Sequence, residues 1–245
     1  YNTIIYNNTS EHTMKIFTHH PPIKDLPPLK AKNVNGKRFY EHLETKDIYP
    51  SITSVLSIRD KKGLHEWRQK VGEDVANHVM IQAANRGTAV HNMVEDYLNN
   101  VDLDQVEKYQ KQFIPRMMFN VLKKECLLGI NNIRLQEAQM YSSDYTVAGR
   151  CDCIADYDGV PSIIDFKTST KEKNEDWIEN YFIQGSAYAE MYKEHFDEEI
   201  NQVVILVVTE EGTTQVFKKN KNDYLPKLKE AVEKFYEWVE KNEKN

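Results

Sequence analysis

The first half of the chain spaces its apolar residues as an amphipathic helix does. In the stretch ANRGTAVHNMVEDYL, the residues Gly87, Val90, Val94 and Leu98 recur at steps of three and four. They therefore share one side of a helix, and that side is expected to be buried. A mainly helical section is predicted from about 51 to 125.

Prolines mark the limits of the elements in this half. Residues 1–32 are polar and then proline-rich, which predicts an extended or mobile arm. Pro50 prevents a helix from starting earlier, so YPSITSVLS is expected to open one. A further helix is predicted over 105–125, where Pro115 could break it.

From about residue 131 the apolar period changes to two, which predicts strands. In IRLQEAQMY, the residues Ile133, Leu135 and Glu137 alternate with their neighbours and are expected to share a face. GRCDCIADYDGVPSIIDFKTST reads as two strands joined by a turn. The later elements are a helix near 176–195, strands at QVVILVV and TTQVFKK, and a helix near 222–241.

This order of elements predicts an α/β fold in which helices flank a central mixed sheet. A single domain is expected over 33–245. It would contain the helical section and then, over about 130–242, the strands and helices of the sheet.

The composition is ordinary for a globular protein. Of 245 residues, 40% are hydrophobic and 29% are charged, and no run of about 18 apolar residues suggests a membrane span. The net charge of −6 argues against a protein that coats duplex DNA, which requires a broad basic field. An enzyme that grips nucleic acid in one groove is still allowed, because carboxylates at a metal site contribute to the negative total.

The N-terminus and the cysteines bear on the compartment. YNTIIYNNTSEHTMKIF has neither the pattern of a secretory signal nor the arginines of a transit peptide. Cys126, Cys151 and Cys153 form no CxxC pair, so a reducing compartment fits best. A cytoplasmic protein is predicted, and the Asn-, Lys- and Ile-rich composition points to an AT-rich genome such as that of a phage. A mitochondrial matrix location stays open for a chain whose transit peptide is missing.

Ionisable residues interrupt the two strands that flank the DYDGVP turn. Because side chains alternate along a strand, Asp165 and Lys167 share one face. On the other strand Asp152 points away from Cys151 and Cys153, which are expected to be small core residues. If the strands pair through the turn, Asp152 and Asp165 converge on one surface.

Two interpretations account for these charges. Asp165 and Lys167 could form an internal ion pair, but Asp152, and Glu137 on the preceding strand, would then stay unpaired. An uncompensated buried charge costs about 3–5 kcal/mol, and neighbouring carboxylates repel each other. A divalent cation relieves the whole arrangement, since Mg²⁺ and Mn²⁺ prefer oxygen ligands. The pattern favours a metal site for phosphodiester hydrolysis, with the lysine orienting water and neutralising developing charge.

These residues resemble a known nuclease family. GRCDCIADYDGVPSIIDFKTS is similar to the G-x-x-D and (I/V)-(I/V)-D-x-K-T motifs of the RecB-like branch of the PD-(D/E)XK superfamily. QGSAY matches its Q-x-x-x-Y motif, and RGTAVHNMVEDYL its G-T-x-x-H helix. With YPSITSVL added, the pattern looks most like the mitochondrial genome maintenance exonuclease and its phage-encoded relatives, which degrade single-stranded DNA. The resemblance covers about 49–195 and implies a restriction-endonuclease-like core.

The resemblance implies roles for individual residues. The catalytic residues would be Asp152, Asp165, Lys167, Gln184 and Tyr188. The ligands of Mg²⁺ or Mn²⁺ would be His91, Asp152, Asp165 and the backbone carbonyl of Phe166. Glu95 and Glu137 would support the metal site, Glu95 by orienting the imidazole. Related nucleases with an iron–sulfur cluster need four cysteines, so that cofactor is not expected.

Each role has a plainer alternative. His91 could be a core histidine with an internal partner, Glu95 a solvated residue and Glu137 a surface charge on an edge strand. Gln184 and Tyr188 lie four residues apart and face the same way on a helix, which also suits a core tyrosine.

Substrate contacts are predicted from hydroxyl groups and cations. Ser51 and Thr53 could bind a phosphate, or one of them could simply cap a helix. Arg86, Lys171 and Lys173 are expected to guide DNA across the sheet.

The predicted function is metal-dependent hydrolysis of DNA, preferentially single-stranded, from an end, by a monomer without membrane association. The helical section is the expected arch that admits a DNA end. One alternative is a PD-(D/E)XK nuclease that acts on duplex DNA, by resection or as an endonuclease. Another is a DNA-binding module that no longer cuts, against which the intact D…DxK pattern argues.

Overall fold

The computed structural model describes residues 15–59 and 62–243, in which strands and helices alternate in blocks. The strands are β1 (Leu29–Val34), β2 (Lys37–His42), β3 (Ile48–Pro50), β4 (Ile130–Ser142), β5 (Val147–Tyr157), β6 (Val160–Ser169), β7 (Gln202–Thr209) and β8 (Thr214–Asn220). The helices are α1 (Ile52–Leu56), α2 (Lys62–Val71), α3 (Glu73–Leu98), α4 (Glu107–Gln110), α5 (Phe113–Glu125), α6 (Glu179–Phe196) and α7 (Leu225–Glu243).

The strands β4 to β8 form a five-stranded sheet in the order of the chain. Neighbouring strands are antiparallel except β6 and β7, which are parallel and connected by α6. A parallel pair requires such a crossover. The continuous apolar run of β7 fits its interior position in the sheet, because both faces of that strand are covered. The α/β fold with a central mixed sheet predicted from the sequence is confirmed.

Helices cover both faces of this sheet. One core lies under α1, α6 and α7 and contains Ile163 and Ile205. The other lies under α3 and α5 and contains Ile164 and Leu206. A Cβ atom at Gly185 of α6 would overlap the side chain of Val203 on β7. This helix therefore lies unusually close to the sheet. No helix in the described ranges is both long enough and apolar enough to span a lipid bilayer.

A second, smaller sheet precedes the main one. β1, β2 and β3 pair antiparallel, and the turn between the first two has Asn35 at φ 49° and Gly36 at φ 73°. Two consecutive positive φ angles are what a type I′ hairpin turn requires, and Asn-Gly is its preferred sequence. NGKRFYEH reads in the sequence as a turn feeding a short strand, which is β2, whereas β1 and β3 were not expected. Ser51, directly after β3, forms a bridge to Ala148 of β5 and so joins the two sheets.

The segment predicted as an N-terminal arm has several parts. Residues 1–14 lie outside the described residues. Residues 15–20 run beside β4, where the His20 N–H donates to the Ile133 carbonyl at 2.7 Å. β1 begins at Leu29, so a strand of the small sheet starts within the predicted arm.

The helical section contains α1 to α5, but its interruption is not where Pro115 predicted it. α4 ends at Gln110 and α5 begins at Phe113, so the break lies at residues 111–112. Pro115 is the third residue of α5, in the first turn. The N–H groups of that turn have no partner within the helix, so a proline is accommodated there.

β4 does not keep the predicted alternation. Its register with β5 shifts between Asn131 and Leu135, and Glu137 has a φ of 48°. Ile133 consequently packs into the core under α3 and α5, whereas Leu135 packs against the core on the opposite face. Extra residues in one strand and a left-handed residue both rotate the following side chains. The expectation that these residues share a face is therefore wrong.

Candidate active site

β5 and β6 separate where their ionisable residues begin. Their pairing starts at the turn and ends with Cys153 opposite Ile164. Beyond this point, Asp152 Oδ2 accepts a hydrogen bond from the backbone N–H of Phe166 at 2.9 Å. A carboxylate thus replaces the carbonyl that would continue the ladder, and it lies between the two strands.

The separation changes the neighbours of Asp152. Cys151 packs into the core under α6, and Cys153 packs into the core under α3 and α5. The expectation that both cysteines lie on the same face is wrong, because regular alternation ends where the strands diverge. Both thiols are buried as expected, and burial raises the pKa of each.

Three side chains from three elements form an acidic cluster. His91 of α3, Glu137 of β4 and Asp152 of β5 each offer a ligand atom, and these atoms lie within 4.8 Å of one another. His91 Nδ1 is 3.6 Å from Asp152 Oδ1, and its Nε2 is 2.7 Å from the carbonyl oxygen of Phe166. Glu137 reaches this point from the irregular part of β4, where its positive φ redirects the side chain.

The carboxyl groups of the site repel one another. Burial raises the pKa of Glu137 and repulsion from Asp152 adds to the shift, against the attraction of Arg150, whose Nε lies 2.9 Å away. Burial also raises the pKa of Asp165 to about 6. Attraction to Lys167 opposes that shift, and repulsion from Asp152 adds to it.

Lys167 lies at the centre of a chain of contacts. Its Nζ is 3.0 Å from Asp165 Oδ1, 2.8 Å from Oδ2, and 3.3 Å from Gln184 Oε1. Gln184 Nε2 donates to the Tyr188 hydroxyl at 3.0 Å, which leaves its carbonyl oxygen directed at the ammonium. The ring of Tyr181, also on α6, has its centroid 4.8 Å from Nζ. Tyr188 is buried, as the core alternative expected.

These residues fit a divalent cation. Asp165 Oδ2 is buried and makes no well-directed hydrogen bond within the described residues, and the Lys167 ammonium at 2.8 Å is its charged neighbour. Glu137, Asp152 and His91 add two carboxylates and an imidazole, and the Phe166 carbonyl lies beside them. This donor set suits Mg²⁺ or Mn²⁺. Asp165 is not one of the three clustered residues, so the predicted ligands do not all meet at one point.

The acidic cluster opens into a pocket of about 580 Å³. Thr88 and Glu95 of α3 line one wall, with Glu95 one helical turn beyond His91. Arg38 and Thr53, from the small sheet and α1, line the opposite wall. The pocket is therefore a cleft with α3 on one side and the small sheet and α1 on the other.

The predicted phosphate-binding hydroxyls differ from each other. Ser51 is buried, and its Oγ accepts the N–H of Ser54 at 3.1 Å, so it acts as the N-cap of α1. Thr53 is exposed and lines the pocket. The capping alternative therefore describes Ser51, whereas Thr53 lines the pocket with its Oγ1 3.0 Å from Ser51 Oγ.

The predicted DNA-guiding cations lie outside the lining of this pocket. Arg86 forms an ion pair with Glu210, which follows β7. Lys171 and Lys173 are on the connection between β6 and α6, where the N–H of Lys173 donates to Gln215 Oε1 at 2.7 Å.

Two residues at the site were not singled out from the sequence. Tyr181 precedes Gln184 by three residues, so helical spacing could have identified it as part of the same face. Arg38 belongs to none of the motifs, because it reaches the pocket from the small sheet.

The chain matches the family model of the PD-(D/E)XK nuclease superfamily over residues 65–243. This match includes α3, the main sheet and all the motif residues described above except those of YPSITSVL. The chain therefore belongs to the PD-(D/E)XK nuclease superfamily.

Comparison with curated proteins gives no match. Among solved structures, one similar chain is a Eubacterium rectale protein whose name assigns it provisionally to the exonucleases, with 17% identity and a TM-score of 0.41. The alignment covers 62% of the present chain and 63% of the Eubacterium rectale chain. A second is the protein SSO0001, with 15% identity, a TM-score of 0.35 and 69% of each chain aligned.

Proposed function

We propose that this protein is a divalent-metal-dependent deoxyribonuclease that hydrolyses DNA from an end, prefers single strands and acts as a monomer. The observation that carries the proposal is the contact between two groups of side chains. The His91–Glu137–Asp152 cluster lies against Phe166, and the Asp165–Lys167 ion pair flanks that residue on β6.

The reaction is the attack of water on phosphorus with release of the leaving oxygen. Mg²⁺ or Mn²⁺, when bound, supplies Lewis acidity at the phosphate and at the attacking water. His91, Glu137 and Asp152 would hold the cation, and Asp165 and the Phe166 carbonyl lie beside them as further oxygen donors. The charge of the cation would offset the burial and the repulsion from Asp152 that together raise the pKa of Glu137 and Asp165.

Lys167 acts as a cation rather than as a base. Burial alone would lower its pKa, but the carboxylates of Asp165 and Asp152 raise the pKa above its ordinary value. The ammonium is therefore protonated at neutral pH. It can donate hydrogen bonds to the attacking water and neutralise the negative charge that develops on the phosphate.

Gln184 and Tyr188 hold this ammonium in place. The Tyr188 hydroxyl accepts from Gln184 Nε2, so the amide oxygen must face Lys167. Because Tyr188 is buried, its position is fixed by the core. The Q-x-x-x-Y motif thus has a physical explanation that does not require either residue to touch DNA.

The preference for a single-stranded end is supported by the resemblance to single-strand exonucleases and by the shape of the site. The acidic cluster lies at the base of a cleft between α3 and the small sheet. A single backbone fits such a cleft more readily than a duplex, whose second strand would meet the walls.

The test compares digestion of three end-labelled or internally labelled DNAs of the same sequence: linear single-stranded, circular single-stranded and blunt duplex. With Mg²⁺ or Mn²⁺ we expect release of nucleotides from the linear single strand, and no digestion of any substrate with chelator. Asp165→Asn and Lys167→Ala should each lower the rate about a hundredfold or more. Lys229→Ala, on α7, is the matched control.

Rapid digestion of the circular strand, which has no end, would show that the enzyme is an endonuclease rather than an exonuclease. Faster digestion of the duplex than of the linear single strand would contradict the proposed preference for single strands. An unchanged rate of DNA hydrolysis in Lys167→Ala would contradict the proposed catalytic centre.

A further inference from the structure

We infer that Arg38 binds a phosphate of the DNA backbone and holds it against the acidic cluster from the opposite wall of the pocket. This inference rests on the proposed function. It gives the small sheet, which contributes none of the predicted metal ligands, a role in binding nucleic acid.

The backbone of Arg38 is fixed by the beginning of α1. Its N–H donates to Ser54 Oγ at 2.7 Å, and the same hydroxyl donates to its carbonyl at 3.1 Å. The N–H of Ser51 also donates to that carbonyl, at 2.9 Å. Both serines are buried. Three hydrogen bonds from buried groups therefore hold Arg38 in one position relative to the cleft.

The guanidinium of Arg38 is different from every other in the chain. It is exposed, lines the pocket and has no hydrogen bond or ion pair within the described residues. The other six arginines each have a carboxylate partner. These pairs are Arg59–Glu179, Arg68–Glu73, Arg86–Glu210, Arg116–Asp104, Arg134–Asp156 and Arg150–Glu137.

A rigid backbone with a free guanidinium is suited to an anion that arrives from solution. The planar fork of arginine can donate two parallel hydrogen bonds to phosphate oxygens. Because the backbone is already positioned, only the rotamer freedom of the side chain is lost when the anion binds.

The charge of the pocket identifies the anion that needs this residue. Glu95, Glu137 and Asp152 make the lining negative, and Arg150 is already engaged by Glu137. A phosphodiester approaching the cluster would be repelled unless a cation met it. Arg38 is the lining arginine without a carboxylate partner within the described residues, and the exposed residue Thr53 lines the pocket beside it.

The first experiment measures equilibrium binding of a fluorescent oligothymidylate in chelator, where metal-dependent cleavage cannot occur. Arg38→Ala should weaken binding about ten- to a hundredfold, as expected for loss of a charge-assisted contact. The slope of log affinity against log salt should fall by about 0.7, the value for one phosphate contact on a single strand. Arg38→Lys should recover part of the affinity, because it keeps the charge but not the fork.

Lys30→Ala is the matched control, since it removes one exposed positive charge from the same small sheet outside the pocket. It should leave affinity within about twofold of wild type, as expected for a rim charge. An equal loss in Lys30→Ala and Arg38→Ala would overturn the inference, because it would show a general charge effect.

The second experiment locates the contact. Single phosphates of the oligonucleotide are replaced in turn by neutral methylphosphonates, and each is titrated against wild type and Arg38→Ala. The loss of affinity caused by Arg38→Ala should disappear when one particular phosphate is replaced and should persist when any other is replaced. If Arg38→Ala binds as tightly as wild type, or if its loss is the same for every replacement, the inference is wrong.

These measurements are independent of cleavage. A wild-type protein that cuts no DNA but loses affinity on Arg38→Ala would refute the proposed function and leave the phosphate site standing. A protein that cuts DNA but binds equally well without Arg38 would refute only the phosphate site.

Discussion

Three side chains contact the Lys167 ammonium, and a fourth acts on it through one of them. Asp165 supplies charge, Gln184 an uncharged acceptor, and Tyr188 fixes the orientation of that acceptor. Tyr181 presents the face of its ring to the ammonium at 4.8 Å. The attraction between a cation and an aromatic face is larger when both groups are desolvated. We therefore assign Tyr181 a part in positioning Lys167.

Replacement of Tyr181 tests this assignment. Tyr181→Leu should lower the single-turnover rate of DNA hydrolysis about fivefold, because a cation–π contact is worth about 1 kcal/mol. Tyr181→Phe keeps the ring and should stay close to the wild-type rate. Affinity for DNA should be the same in both variants. If Phe is as impaired as Leu, the hydroxyl rather than the ring is responsible.

His195 provides a residue-scale prediction away from the active site. Its Nε2 accepts the N–H of Tyr141 at 3.4 Å, which requires a neutral ring. Burial lowers its pKa from 6.5 to about 4, and the positive charges of Lys24 and His42 act in the same direction. As the pH falls below 6.5, the unfolded chain takes up the proton before the folded protein does.

Stability should therefore fall between pH 6.5 and about 4 and change no further through this group below that range. The loss is up to about 3 kcal/mol at 1.36 kcal/mol per pKa unit. Urea unfolding at several pH values in this range gives the free energy of unfolding as a function of pH. The slope of that free energy against pH should be shallower for His195→Gln than for wild type. His65→Gln, at an exposed position on α2, is the control. Equal slopes in wild type and His195→Gln would contradict the assignment.

At the scale of elements, the decisive contact is between α6 and β5. A Cβ atom on Gly149 would lie 2.6 Å from Tyr188 Cε1 and 3.2 Å from Ile52 Cγ2. The glycine of the G-x-x-D motif thus leaves room for the ring of the Q-x-x-x-Y motif. Two motifs that are far apart in the sequence are matched because one provides the space that the other fills.

Gly149→Ala should consequently lower stability by about 1–3 kcal/mol, the usual cost of overpacking. It should also lower the rate of hydrolysis at a temperature where the variant is fully folded, because a displaced Tyr188 releases Gln184. Gly63→Ala in α2, where nothing lies within 4 Å of the added atom, should be neutral or slightly stabilising. A fully active Gly149→Ala variant would show that the position of the Tyr188 ring does not affect hydrolysis.

At the scale of the whole molecule, the acidic cluster joins parts of the chain that are distant in sequence. His91 comes from a helix on one face of the sheet, and Glu137 and Asp152 come from two of its strands. A site formed by all three residues exists only in the folded protein. A cation that binds there would therefore stabilise the fold by mass action.

Addition of Mg²⁺ or Mn²⁺ at about a hundred times its dissociation constant should stabilise the wild type by about 2.7 kcal/mol. This corresponds to a rise in Tm of roughly 5–10 °C for a chain of this size. Glu137→Gln and Asp152→Asn should reduce that rise, and Glu107→Gln on α4 should not. A cation-independent Tm in the wild type would argue against the metal site.

Much of the fold was accessible from the sequence because the periods of apolar residues are local properties. The helical spacing around His91 and the apolar run of β7 depend only on which neighbours share a face. The motif residues Asp165 and Lys167 were predictable for the same reason, since two residues on one strand share a face wherever the strand lies. Gln184 and Tyr188 follow from one helical turn.

Only the tertiary structure decided how separate elements meet. The sequence placed Glu137 near Asp152 but also on the face of Ile133 and Leu135. A shifted register and one positive φ, rather than regular alternation, bring it to Asp152. No local pattern linked Arg38 to the cleft, because its position depends on hydrogen bonds to a different element. Residue spacing determines which side chains share a face, whereas the register and separation of strands determine which faces converge on one site.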